Sequence, residues 1–203
     1  MSQIVLPLQR RPGPGPVRIL VGPANAHVFD ALAAPESWPF RTAVLTGLPR
    51  SGKSLIARWF AEQAKGEAID DADTVEETEL FHRWNRAQES GTPLLLASGR
   101  QDWSIALPDL RSRIGAALHL EIGPPDDDMA HNLILSLAAE RGLALGEGAA
   151  AYLAPRCERS FAGLERLVET IDRMSLERKQ PATMAIWRSA LEATLGAEQP
   201  RLL

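Results

Sequence analysis

Apolar residues follow two rhythms along this chain. From Asn25 onward, Val28, Leu32 and the alanines between them share one helical face, and Pro35 ends that pattern. Thr42-Ala43-Val44-Leu45-Thr46 is a short apolar run closed by Gly47, and after a glycine loop the pattern turns helical from 53 to about 64. A weak strand at 67–70 leads into a helix that sets Leu80, Phe81, Trp84 and Ala87 on one face. Residues 93–98 carry three consecutive leucines, which suits a strand buried on both sides, and 117–122 is a fourth strand candidate. Strands alternating with helices predict right-handed crossovers and a parallel sheet covered on both faces, an α/β fold.

After Gly123-Pro124-Pro125 the pattern changes, and helices are predicted at 126–141, 147–157, 160–178 and 183–195. Asp126, Asp127 and Asp128 supply carboxylates to a helix start, and Gly142 is placed to stop that helix. At the other end, residues 3–8 are a short apolar segment, and 10–16 is a basic run with three prolines and two glycines that cannot join a helix. The predicted organisation is a flexible tail over 1–16, an α/β core over 17–124 and a helical unit over 125–203.

Composition narrows the function. In 203 residues, 22 Lys and Arg stand against 26 Asp and Glu, so the net charge of -4 argues against a protein that coats nucleic acid by bulk electrostatics and leaves room only for a local basic patch. The single cysteine, Cys157, excludes an intrachain disulfide, and the four histidines show no ligand spacing, which argues against structural zinc. No apolar stretch reaches membrane-spanning length, and Arg10 and Arg11 follow the apolar segment instead of preceding it as in a signal peptide. A cytoplasmic location, with no membrane partner, is expected. Trp59, Trp84 and Trp187 fall at helical apolar positions and read as core, and Cys157 reads as a small buried hydrophobe.

The strongest chemical signal is Gly47-Leu48-Pro49-Arg50-Ser51-Gly52-Lys53-Ser54, the phosphate-binding GxxxxGK[ST] pattern between a strand and a helix. Its backbone amides can wrap a phosphate, Lys53 supplies charge, and the Ser54 hydroxyl can reach Mg²⁺, with Leu55 next along the helix. A P-loop ATPase also needs an acid at a strand end to hold the Mg²⁺ water shell. Asp70 and Asp71 are the candidates, but the run before them is poorly apolar, so a solvated turn made by Asp70, Asp71 and Asp73 remains equally open.

Several motifs resemble one family. Glu79-Leu80-Phe81-His82-Arg83-Trp84-Asn85, after the acidic pair, is similar to the helix that follows the Mg²⁺-binding acid in the DnaA-related AAA+ family. Leu20-Val21-Gly22-Pro23-Ala24-Asn25 resembles the family's segment beside the adenine, which brings in Val21. Leu107-Pro108-Asp109-Leu110-Arg111-Ser112-Arg113-Ile114 resembles its arginine-finger box. The Gly123-Pro124-Pro125-Asp126 break and the helix over 160–172 resemble the start of its lid and its second-sensor helix. The likeness runs from about 17 to 195 in the family's order and is greatest to its shorter member, Hda.

The resemblance implies a P-loop AAA+ core followed by a helical lid, with ADP or ATP and Mg²⁺ as cofactors. The separation of 17 residues between Lys53 and Asp70 leaves no room for the family's second strand and its helix, so about four parallel strands are expected. Gln3-Ile4-Val5-Leu6-Pro7-Leu8 resembles the peptide by which Hda docks into the DNA polymerase sliding clamp, although such a segment taken alone reads more readily as an edge strand. Ala162 stands where the family has its second-sensor arginine, so either Arg159 or Arg166 substitutes for it or the nucleotide phosphates do without that cation. Ser98 to Arg100 falls at the first sensor. Arg113 is the implied finger toward ATP on a partner, where without the family it would read as a surface arginine paired with Asp109. The function implied is an Hda-like negative regulator that binds the clamp and the DnaA initiator. Sequence-specific DNA binding is not expected, and a homodimer is compatible. The rival readings are a stand-alone ATPase using Asp70 and Asp71, and a nucleotide-free scaffold.

Overall fold

The computed structural model describes residues 3–5 and 18–195. The chain divides into two compact units, with the break between Gly123 and Pro124.

The first unit is built on four parallel strands in the order β4 (Glu67–Ile69), β5 (Leu94–Ala97), β3 (Thr42–Gly47), β6 (Leu118–Ile122). Helices α1 (Ala26–Ala33), α2 (Lys53–Glu62), α3 (Glu77–Ser90) and α4 (Pro108–Gly115) complete it. The central strands bear out the apolar runs: all of β5 and residues 42–45 of β3 are buried. β6 lies at an edge and alternates, with Leu120 and Ile122 buried while His119 and Glu121 face solvent. One layer of core joins the sheet to α3 and α4 through Val44, Ile69, Leu80, Trp84, Leu94, Leu96, Leu110 and Ile114. The expected four-stranded sheet is present.

Within the predicted tail, β1 (Gln3–Val5) pairs antiparallel with β2 (Arg18–Leu20), Gln3 opposite Leu20. Residues 3–5 therefore adopt the edge-strand conformation, while Leu6, Pro7 and Leu8 lie outside the described residues.

The second unit holds α5 (Asp127–Glu140), α6 (Glu147–Leu153), α7 (Phe161–Arg178) and α8 (Met184–Leu195). Its core is made of Ile134, Leu153, Leu164, Leu167, Val168, Ile171 and Ile186, none more than 1% exposed. Asp126 caps α5 by accepting the Met129 amide at 2.7 Å, and Ser160 caps α7 by accepting that of Gly163 at 2.9 Å. Gly142, at φ 68°, closes α5 in the left-handed conformation that the sequence anticipates. The helix expected over 147–157 stops at Leu153 and continues as a short 3-10 turn, because Pro155 has no amide to donate. Trp59, Trp187 and Cys157 are half-buried, not core. No described helix is long and apolar enough to cross a membrane.

Candidate functional site

β3 delivers Gly47 to the top of the sheet, where a Cβ would lie 3.0 Å from both the Ile122 Cβ and the Ser51 Oγ. The loop then turns through left-handed residues, Arg50 at φ 66° and Gly52 at φ 90°, before α2 begins at Lys53. α2, like α1, α4 and α6, has no side-chain cap, and its first turn carries no acidic residue. Its first amides are thus left for an anion. Ser51 Oγ is buried and has no hydrogen-bond partner among the described residues, an unmet polar atom inside the loop. Lys53 Nζ donates to the carbonyls of Gly47 at 2.9 Å and Leu48 at 3.2 Å. Burial pushes its pKa below the ordinary lysine value, against the pull of Asp70, Asp71 and Asp73. Ser54 is exposed on the first turn of α2, Leu55 is half-buried and Pro49 is exposed. Together these groups fit a nucleotide phosphate.

The acidic residues follow a true strand. Asp70 is the first residue beyond β4 and accepts the Asp71 amide at 3.1 Å, while Asp71 turns the chain at φ 47°. Both are exposed. Asp73 carries a role that composition does not reveal. Its side chain, only 4% exposed, accepts the Gly99 amide at 2.7 Å and faces Arg100 Nε at 3.6 Å, tying the turn after β4 to the tip of β5. Ser98, which the resemblance sets at the first sensor, is fully buried and its hydroxyl donates to the Arg100 carbonyl at 2.8 Å. The only sequence sign of the Asp73 interaction is a third acid in a short run.

The segment resembling the adenine side is braced by Asn25. Its buried amide accepts the Gly22 N–H and donates to the Leu20 carbonyl, each at 2.9 Å. The Ala24 carbonyl accepts the Gly123 amide at 3.0 Å, and the adjoining Val21 is half-buried.

Arg113 is half-buried on α4 and is turned toward α3. Its guanidinium carbon lies 4.5 Å from the Phe81 ring centre and 4.4 Å from that of Trp84, and it donates a hydrogen bond to Asn85 Oδ1. Among the described residues it pairs with no carboxylate, Asp109 included. In the lid unit, Ala162, which the resemblance sets at the second sensor, is half-buried. The two arginines beside it are engaged there, Arg159 with Asp127 at 2.7 Å and Arg166 with Glu158 at 2.5 Å.

The Hda lid-domain family model matches residues 126–191. The chromosomal replication initiator protein DnaA of Thermomicrobium roseum is 29% identical over 117 residues, 56% of this chain and 25% of that protein. The chain is thus similar to DnaA- and Hda-related AAA+ proteins. An uncharacterized protein of Haemophilus influenzae is 27% identical over 179 residues, 84% of this chain and 78% of the relative. Domain III of the Thermotoga maritima replication initiation protein DnaA shares the fold at a TM-score of 0.70 and 16% identity, covering 87% of this chain and 94% of that one. The loop over 47–54, the acids after β4 and the α4 segment that resembles an arginine-finger box occupy one unit, and the helices matched by the lid-domain model form the other.

Proposed function

We propose that this protein is an Hda-like negative regulator of replication initiation in the cytoplasm. It binds ADP or ATP at its P-loop, docks to the DNA polymerase sliding clamp through Gln3, Ile4, Val5, Leu6, Pro7 and Leu8, and promotes hydrolysis of ATP bound to DnaA. The observation that carries this reading is Arg113, a positioned cation that no acid of its own chain neutralises among the described residues.

Each part rests on this chain's own groups. The amides of the 47–54 loop, the unmet Ser51 hydroxyl and Lys53 hold phosphate oxygens. Ser54 and Asp70 would hold Mg²⁺, which screens phosphate charge when bound. Arg113 reaches charge that develops on the transferring phosphoryl group of the partner's ATP, and so lowers the barrier without a proton step. Residues 3–8 bind the clamp as an extended peptide, which requires Gln3–Val5 to leave β2.

Hydrolysis of DnaA-bound ATP, followed with and without this protein and DNA-loaded clamp, tests the proposal. Acceleration is expected only with both present. Deleting residues 1–9 should abolish clamp binding and leave the melting temperature nearly unchanged, and a large loss of stability would favour the edge strand as their main role. A second reading, a stand-alone ATPase, is favoured by the pull of Asp70 and Asp71 on Lys53. Phosphate release by the isolated protein, lost in Asp71→Asn, would support it.

A further inference from the structure

Several of the described arginines are closed by a carboxylate. Arg83 pairs with Glu67 at 2.6 Å, Arg159 with Asp127, Arg166 with Glu158, and Arg173 with Glu177 at 3.5 Å. Arg156 lies over the ring of Tyr152, four residues before it, and donates to that residue's carbonyl, but Arg113 is held from a different helix, by two aromatic rings and an amide oxygen, all neutral. A guanidinium carries five N–H donors in one plane. Contact with a ring face uses none of them, and Asn85 takes one, so the charge and most of the donors stay available.

The helix that carries Arg113 is fixed from the same side. Glu77, in the first turn of α3, accepts the backbone amides of Ala106 at 2.8 Å and Leu107 at 2.6 Å, which seats the start of α4 against α3. Trp84 holds its place at a cost. Its indole N–H is buried without a hydrogen-bond partner among the described residues, a defect that phenylalanine would avoid. What indole offers beyond phenylalanine is the stronger attraction for a cation over its face.

We propose that Phe81, Trp84 and Asn85 are positioning residues for Arg113. They fix its guanidinium by neutral contacts so that its free donors meet the phosphoryl group of a nucleoside triphosphate on a second, related subunit. This deepens the function proposed above and rests on it. An acid at position 85 would hold the side chain as firmly and cancel the charge that the phosphoryl group needs.

The test is single-turnover hydrolysis of ATP preloaded on DnaA, with DNA-loaded clamp and the full chain titrated. Phe81→Leu should lower the plateau rate about tenfold or more, as misplacement of a reacting group does, with the half-saturating concentration unchanged. Phe81→Tyr, which restores a ring face, should recover most of the rate. Asn85→Asp should lower the plateau at least as far without lowering the melting temperature, and it decides the matter if Phe81→Leu folds poorly. If both variants reach the unmutated plateau while Arg113→Ala is inactive, the positioning role is overturned and the finger stands. If Arg113→Ala also reaches that plateau, the finger and its positioning residues fall together.

Discussion

Cations in this protein are held in two ways, by carboxylates or by neutral groups, and the two units mix them differently. In the lid, Arg159, Arg166 and Arg173 each face a carboxylate of the same unit, and Arg156 lies over a ring, that of Tyr152 at 4.4 Å, while donating to the Tyr152 carbonyl at 2.9 Å. In the P-loop unit, Lys53 rests on two carbonyl oxygens, Ser51 Oγ on nothing among the described residues, and Arg113 on rings and an amide. Arg83, which braces α3 against β4, is closed by Glu67 as a lid arginine would be. On the proposed function, Lys53, Ser51 and Arg113 are kept for a ligand, whereas Arg156 stays local, bonded to the carbonyl of the residue whose ring it covers. A carboxylate partner settles a cation within its own chain, whereas neutral partners hold it in place and leave its charge to act elsewhere.

Breaking the P-loop side of this contrast should have the largest effect. Lys53→Ala should weaken ADP binding by about 10²-fold or more in calorimetry, since several charge-assisted contacts of roughly 1.5–3 kcal/mol are involved. The nucleotide-free protein should respond the other way. Because burial lowers the Lys53 pKa, the fold penalises the protonated form at neutral pH and is relieved as pH rises from that lowered value toward the ordinary one. Lys53→Met should therefore raise the melting temperature at pH 7 and remove part of its alkaline rise. ADP affinity should fall as pH passes the lowered value, and this dependence should vanish in the variant.

On the lid side, packing outweighs charge. Leu164→Ala, in a fully buried position, should cost about 2–5 kcal/mol in denaturant unfolding. Arg166→Ala removes a half-exposed ion pair and should cost under about 1 kcal/mol, with ADP affinity unchanged. A tenfold loss of ADP affinity would instead make Arg166 the replacement sensor and erase the contrast. Smallest of all is the α3 cap. Backbone amides of Thr78 and Glu79 hold the Glu76 carboxyl below its usual range, so its contribution is present above the ordinary glutamate pKa and fades as pH falls through the lowered one. Glu76→Ala should lower the melting temperature slightly at pH 7 and not at all in strong acid.

Much of this can be read from the residues alone. Gly47, Gly52, Lys53 and Ser54 declare the loop because each is demanded by local geometry at a fixed spacing, and the runs at 42–46 and 93–98 declare buried parallel strands. Asp73 is hidden because its main partner is the Gly99 amide, 26 residues on, and a backbone N–H leaves no mark on the sequence. Phe81 falls on the apolar face with Leu80 and Trp84, yet it is half-buried and meets a cation from α4. Periodicity shows which side of a helix is apolar. It does not show that one ring on that side faces a guanidinium. The pairing of Gln3–Val5 with β2 depends on a contact across 10–16, which no local pattern encodes.

The proposed regulation of DnaA turns on whether Arg113 acts on ATP held by another subunit. Single-turnover hydrolysis of DnaA-bound ATP measures this, with unmutated protein and Arg113→Ala compared at equal clamp occupancy. The unmutated protein should accelerate hydrolysis, and the variant should lose roughly 10³-fold or more of that acceleration, the scale on which arginine fingers act in trans. Equal acceleration by both proteins would rule out the finger and return Arg113 to a purely structural place between α3 and α4.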